Sequence, residues 1–402
     1  MNFKAFLTEE TEKGFISNVK ERTFEDLPDG DVLIKVAFSS LNYKDALSAS
    51  GNKGVSRNYP HSPGIDAAGI VEQSSTSDFL KGDEVIVTGY DLGMNTSGGF
   101  SEYIRVPKEW IIKKPDNLSL EESMAYGTAG LTAGLCVRKI LLSGLKPEDG
   151  EVFVTGATGG VGIIAVMLLA KLGFNVVAIT GKDDQTDLLL SLGAKEIINR
   201  SELEGEMKSP LSKPRWAGGV DAVGSDILSN LITATHQRAA IACCGMVGGI
   251  NLNTSIFPFI LRGLSLLGID SAETLIEVKK EIWNNFASDW KLEKINDQIK
   301  DVGLEELSSE ITIQPLKRFN LDAAIIFSDI LMLPYGLNQK VEFEKGFGPK
   351  LGGLNLEEMS KIDEVDFVEK VYPVYKAIKK VSTNSIIKNK NTIGFVGAPW
   401  TL

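Results

Sequence analysis

The chain has 402 residues, 43% hydrophobic and 24% charged, which excludes wholesale disorder and fits two or three domains of ~150 residues each. Lys plus Arg number 42 and Asp plus Glu 53, for a net charge of −11, so nucleic acid and anionic membranes are poor partners. Three cysteines build no disulfide framework and point to a reducing cytoplasm, while two histidines, His61 and His236, nearly exclude a His/Cys zinc cluster.

The opening, MNFKAFLTEETEKG, is too polar for a signal peptide. Residues 1–120 read as mostly β. Val32–Phe38 and Glu84–Thr88 are short β-branched runs, and turn residues separate such runs, as at Leu27-Pro28-Asp29-Gly30 and Lys81-Gly82-Asp83. At Ser119 the period changes. A helix opens over Leu120–Tyr126, with Ser119 as N-cap and Glu122 completing a capping box. Strands and helices then alternate: strand Val152–Thr155, helix Gly162–Leu172, strand Asn175–Thr180, helix Asp184–Leu192, strand Glu196–Asn199. This alternation means α/β architecture, a parallel sheet covered on both faces. The longest apolar stretch, Val161–Thr180, is broken by Lys171, Gly173 and Asn175, so no membrane-spanning helix is expected. His236 reads as a surface or packed histidine in mid-helix, near Leu231, Ile232 and Thr235.

Gly156-Ala157-Thr158-Gly159-Gly160-Val161-Gly162 lies between a strand and a helix. In that context glycines let the backbone approach a pyrophosphate, and the helix N-terminus offers it unpaired N–H groups. A tight turn without ligand is the bland alternative. The second strand decides which dinucleotide fits. An Asp or Glu at its end would bond a ribose 2′-hydroxyl. Here it ends Thr180-Gly181-Lys182, and a hydroxyl, a glycine and a cation suit the 2′-phosphate of NADPH. Arg200, after the next strand, adds a second cation; Asp183 and Asp184 argue the other way.

Ser40–Leu47, Pro63–Gly69, Gly127–Ala133 and the glycine turn occur in order. Together they resemble the medium-chain dehydrogenase/reductase superfamily, in its zinc-independent quinone-oxidoreductase branch. Asn42-Tyr43-Lys44-Asp45, Trp216-Ala217-Gly218, Pro258–Arg262 and Gly268-Ile269-Asp270-Ser271 are similar to the acrylyl-CoA reductases. The resemblance covers about residues 1–305. It implies a GroES-like domain over 1–120 with a return segment near 270–305, and a Rossmann domain over 121–269. Ile65 stands where zinc members carry a histidine. Without a Lewis acid, reduction of an activated C=C remains feasible, because the enolate needs only hydrogen-bond donors and a proton.

The resemblance further implies Tyr43 beside the nicotinamide, with Asn42 and Asp45 shaping the same pocket; these three are the catalytic candidates. A core aromatic is the plain reading of Tyr43, and turn-forming groups that of Asn42 and Asp45. Asp66 reads as structural. The implied cofactor contacts are Thr158, Gly159, Gly160 and Val161 in the turn, and Thr180, Gly181, Lys182 and Arg200 at the adenosine phosphate. Tyr43, Thr128, Met246, Ile260 and Ser271 would line the nicotinamide half. Met246 and Ile260 read equally as core residues. The implied partners are a small acyl-CoA or enone and a second copy in a homodimer.

Past about Ile311 the character changes. Ser308–Phe319, Asp322–Leu331, Lys345–Pro349 and Gly394–Leu402 resemble uroporphyrinogen decarboxylase, a TIM-barrel family, with Asp329 matching its pyrrole-binding aspartate. The family's arginine-bearing N-terminal segment is absent, and the stretch is too short for a closed barrel of ~250 residues. An incomplete barrel fragment without decarboxylase activity is expected, joined somewhere in Gly303–Glu310 by gene fusion or a joining error. The closing strand usual in the reductases is not found. Three functions follow: an NADPH-dependent acrylyl-CoA reductase, a quinone or enone reductase of the same fold, or an NADPH-binding protein inactivated by its C-terminal fusion.

Overall fold

The computed structural model describes residues 2–11, 14–207, 209–307, four short strands beyond them and Lys379. The N-terminal part is β-rich. Strands β1 (Asn2–Thr11) and β2 (Gly14–Thr23) form an antiparallel pair. Strands β3 (Val32–Phe38), β4 (Asp66–Ser74), β5 (Glu84–Thr88), β6 (Tyr103–Val106) and β7 (Ile111–Lys113) form an antiparallel sheet in the order β6-β3-β4-β5-β7. Its core joins Val32, Ile34, Val71, Val85, Val87 and Ile104. Helix α1 (Tyr43–Ala49) follows β3, and Asn42 and Asp45 form its capping box.

Helix α2 (Leu120–Leu142) starts at the expected cap: Glu122 N–H donates to Ser119 Oγ at 2.9 Å, and Ser119 N–H to Glu122 Oε2 at 2.8 Å. Gly127 interrupts it with φ 51°. The break turns the Thr128 N–H out of the helical ladder.

The second part follows the expected alternation: β8 (Glu151–Thr155), α3 (Gly160–Lys171), β9 (Asn175–Thr180), α4 (Thr186–Ser191), β10 (Glu196–Asn199), β11 (Trp216–Asp221), α5 (Ser225–Thr233), β12 (Thr235–Cys243), α6 (Phe257–Arg262), β13 (Ser265–Gly268) and α7 (Ile276–Phe286). Its six strands are parallel, in the order β10-β9-β8-β11-β12-β13. Both faces are covered. Val152 and Val154 pack with Leu131, Val137 and Ile140 of α2, while Phe153 between them packs with Leu228, Leu231 and Ile232 of α5. That split follows from the two-residue period of a strand. Strand order reverses between β8 and β11, and ligands of open α/β sheets bind at that point, beyond the strands' carboxyl ends.

Two expectations are corrected. His236 lies in β12, not in a helix; α5 stops at Thr233, and the buried run Ala239–Ala242 is needed as a strand beside β11. Met246 and Ile260 are not core: they are 70% and 69% exposed, Met246 in the loop beyond the carboxyl end of β12 and Ile260 on the short helix α6. Helix α3 also starts at Gly160, two residues earlier than expected.

Leu304–Glu306 forms a 3-10 turn, and Leu307 packs on Phe6, Ala49 and Phe100. Beyond it, β14 (Ala323–Ile326) pairs in parallel with β17 (Asn391–Gly394), and β15 (Val341–Glu344) pairs antiparallel with β16 (Gly348–Leu351). Asp329 lies outside the described residues.

Candidate active site

A cleft of about 2860 Å³ opens between the antiparallel sheet and the carboxyl ends of β8, β9 and β11. Its floor is the glycine turn. Gly156 has φ 59°, the left-handed region that glycine tolerates. A Cβ on Gly162 would lie 2.2 Å from the Gly156 carbonyl oxygen and 2.7 Å from Ala157 Cα, so only glycine lets α3 start this close under the turn. No side chain caps α3 at Gly159. Its first-turn N–H groups and dipole therefore face the cleft without a side-chain acceptor, which suits a diphosphate. Thr155 Oγ1, ending β8, donates to Asp221 Oδ1, ending β11, at 2.7 Å and ties the two strands at the reversal.

At the end of β9, Lys182 N–H donates to Thr180 Oγ1 at 3.2 Å, and Thr158 Oγ1 stands 3.4 Å from Thr180 Oγ1. Arg200 closes this corner. A Cβ on Gly181 would lie 2.7 Å from its Nε, and the guanidinium pairs with Glu204 at 3.1 Å, both half-exposed. Such surface pairs are worth about 0–1 kcal/mol, so the pairing leaves Arg200 available to an incoming phosphate.

At the other end, Asp66 organises the wall. It is fully buried. It accepts from Thr128 Oγ1 at 2.6 Å, Thr128 N–H at 2.8 Å, Asn42 Nδ2 at 2.9 Å and Ser40 Oγ. These donors come from the β3–α1 loop and the Gly127 break in α2. The break is required: a Cβ on Gly127 would lie 2.2 Å from Ser40 Oγ. Asp45 faces inward too, accepting from the N–H groups of Asn42 at 2.7 Å, Ile65 at 2.9 Å and Gly64 at 3.1 Å. Burial pushes its carboxyl up to about 7, and the N–H donors offset this only in part. Tyr43, 36% exposed, starts α1 and lines the cleft.

The cleft thus brings together Asn42, Tyr43, Thr128, Thr158, Gly159, Gly160, Val161, Thr180, Gly181, Lys182, Arg200, Met246 and Ser271. Asp45 is behind its wall, and Ile260 on α6 does not line it. Sequence reasoning missed Lys279, buried on α7 against the cleft-lining Tyr90 and Ala272. A lysine in an amphipathic helix reads as surface charge, so no local signal exposed it.

Comparison with known proteins gives the family of this fold. Residues 28–116 match the alcohol dehydrogenase GroES-like domain, and residues 160–288 the zinc-binding dehydrogenase family. Acrylyl-CoA reductase AcuI of Ruegeria pomeroyi is 41% identical over 289 residues, covering 72% of this chain and 88% of that protein. The chain belongs to the medium-chain dehydrogenase/reductase family. The structure of yhfP of Bacillus subtilis with NAD bound is similar at TM-score 0.77 and 43% identity, covering 79% of this chain and 97% of that one. The yhdH oxidoreductase of Salmonella enterica in complex with NADP gives TM-score 0.76 and 38% identity, with coverage of 79% and 97%. Residues 303–402 match uroporphyrinogen decarboxylase. The enzyme of that name from Agrobacterium fabrum is 41% identical over 97 residues, which span 28% of its length.

The described residues offer no zinc site. A zinc site needs converging Cys, His or carboxylate ligands, and among the described residues no three such groups cluster to hold a metal ion. Ile65 is buried where the resemblance would put a histidine. His61 Nε2 is engaged with the Gly93 carbonyl at 2.8 Å. Cys243 and Cys244 turn to Asp221 at 3.6 and 3.3 Å, and burial pushes the Cys243 thiol up to about 12. Among the described residues, no helix is long and apolar enough to cross a membrane.

Proposed function

We propose that this protein is a cytoplasmic, NADPH-dependent reductase of a short α,β-unsaturated acyl-CoA, converting acrylyl-CoA to propionyl-CoA without zinc. The observation that carries the reading is one cleft with two unlike ends: a glycine turn with Lys182 and Arg200 at one, and Tyr43 on the Asp66-braced wall at the other. Bound NADPH would supply the hydride that adds to the β-carbon.

The chain's own residues do the rest. Thr158, Gly159, Gly160 and Val161 receive the diphosphate on the α3 N-terminus. Thr180, Gly181, Lys182 and Arg200 receive the 2′-phosphate. Thr128, Met246 and Ser271 border the nicotinamide half. Tyr43 Oη donates a hydrogen bond to the thioester oxygen, where enolate charge develops, and the enolate then takes a proton from water at its α-carbon. Asn42 and Asp45 position Tyr43 by capping its helix rather than by touching substrate. The catalytic domain takes in 1–120 with a return segment near 270–305, and the cofactor domain 121–269. Support for NADP over NAD comes from the two cations and from the NADP held by the Salmonella neighbour; the Bacillus neighbour holds NAD.

A second copy completes the outer face. Ile256, Ile260 and Leu261, in α6 and at its N-cap, are exposed apolar side chains, and β13 is an edge strand of the parallel sheet; both features fit a homodimer. The C-terminal segment carries no decarboxylase activity in this reading.

The test is steady-state oxidation of NADPH and NADH by purified full-length protein with acrylyl-CoA, a simple quinone and an enone. Faster turnover of NADPH with acrylyl-CoA is expected. Turnover with the quinone or enone alone would establish the second reading. NADPH binding by fluorescence with no turnover would establish a nucleotide-binding protein disabled by its fusion.

A further inference from the structure

Gly89 and Tyr90 follow β5 directly, with φ 72° and 51°. For a bulky side chain that conformation is an outlier, and it persists only where the surroundings over-determine it. Four contacts hold Tyr90. Its N–H donates to the Ala272 carbonyl at 3.0 Å. Its hydroxyl donates to the Thr274 carbonyl at 3.1 Å. Its ring stacks on Trp110 with centroids 5.8 Å apart. The Lys279 ammonium sits over the ring, 3.4 Å from the centroid.

Lys279 is fully buried on α7. Its Nζ donates to the Thr88 carbonyl at 2.7 Å and to the Ala272 carbonyl at 2.9 Å. Among the described residues no carboxylate lies within ion-pair distance of it. The same ammonium thus grips the end of β5 in one sheet and the 270–274 loop that follows β13 in the other. The two backbones meet closely there: a Cβ on Gly89 would lie 2.9 Å from Ala272 Cα. Gly89, Tyr90, Ser271 and Ala272 all line the cleft.

We propose that Lys279 is a positioning residue, a cationic latch that fixes the 270–274 loop against the end of β5 and so sets the width of the nicotinamide end of the cleft. A buried cation held by two carbonyls and a ring face has no purpose in a plain core, where an apolar side chain would pack at lower cost. Here its three contacts converge from two sheets. The role assigned to Ser271 rests on the proposed function; the latch itself is read from backbone geometry.

The experiment uses the full chain and the variants Lys279→Met, Lys279→Arg and Tyr90→Leu. Amide hydrogen exchange at Tyr90 reports the latch without cofactor or substrate. Lys279→Met is expected to speed that exchange about tenfold or more, and Lys279→Arg, which keeps the charge and the donors, to restore protection. In turnover, Lys279→Met raises the KM for NADPH by a larger factor than it lowers kcat. Tyr90→Leu leaves the two carbonyl bonds and removes the ring, and it too speeds exchange at position 90; it carries the test if Lys279→Met fails to fold. Unchanged exchange in whichever variant folds, or failure of arginine to restore it, overturns the latch. Absence of any turnover with normal latch behaviour overturns the proposed reaction instead.

Discussion

Replacing Asp66 by alanine tests how the wall of the cleft is built. The carboxylate accepts four hydrogen bonds from three residues. The hydroxyls of Ser40 and Thr128 can rotate to other acceptors, so they are discounted. The Thr128 N–H cannot turn, because the backbone break at Gly127 aims it. The Asn42 amide keeps a weaker bond to the Ser40 carbonyl at 3.3 Å. Hydrogen bonds to a charged partner are worth about 1.5–3 kcal/mol each. One full loss and one partial loss give about 3–4 kcal/mol. That is a large share of the 5–15 kcal/mol that typically holds a domain together. Denaturant unfolding of the full chain, followed by tryptophan fluorescence, reads this directly. Asp66→Asn keeps one acceptor oxygen and is expected to lose less than half as much. NADPH affinity is expected to fall with Asp66→Ala, because Thr128 loses its anchor. A loss below about 1 kcal/mol for Asp66→Ala would refute the reasoning, since the donors would then have found other partners.

Further expectations follow from single contacts. Gly162→Ala puts a methyl against backbone atoms 2.2 and 2.7 Å away and should reduce NADPH affinity, read by fluorescence titration, by far more than Gly159→Ala, whose nearest neighbour is at 3.2 Å. Arg200→Ala should raise the KM for NADPH about tenfold, a loss of ~1.4 kcal/mol, while leaving NADH nearly unaffected. Burial holds Asp45 near 7, above its value in an unfolded chain. Its contribution to stability is therefore full below the ordinary carboxylate range and fades as pH rises through about 7; Asp45→Asn should remove that slope in melting curves taken from about pH 5 to about pH 8. Ile260→Asp, on the exposed apolar face of α6, should shift the protein toward monomer in light scattering while leaving NADPH binding intact.

Much of this was legible along the chain. The strand–turn–helix unit around Gly156–Gly162 depends on neighbours a few residues apart, so glycine placement and apolar runs determined it. The Ser119–Glu122 cap is local in the same way, and so is the end of β9 at Thr180. The misreadings share one cause. His236 follows residues that continue a helical pattern, yet β11 needed a parallel neighbour and drew it into β12. Ile260 is apolar and expected at the cofactor, but lies exposed on α6 and does not line the cleft.

Local pattern thus determined the order of elements and the glycine turn, because backbone geometry is set by residues close in sequence. Only the tertiary structure decided what Asp66 and Lys279 do. The partners of Asp66 sit 24, 26 and 62 positions away, and Lys279 reaches a carbonyl 191 positions away. A buried charge is defined by what surrounds it, and those surroundings exist only once the two sheets have closed on each other.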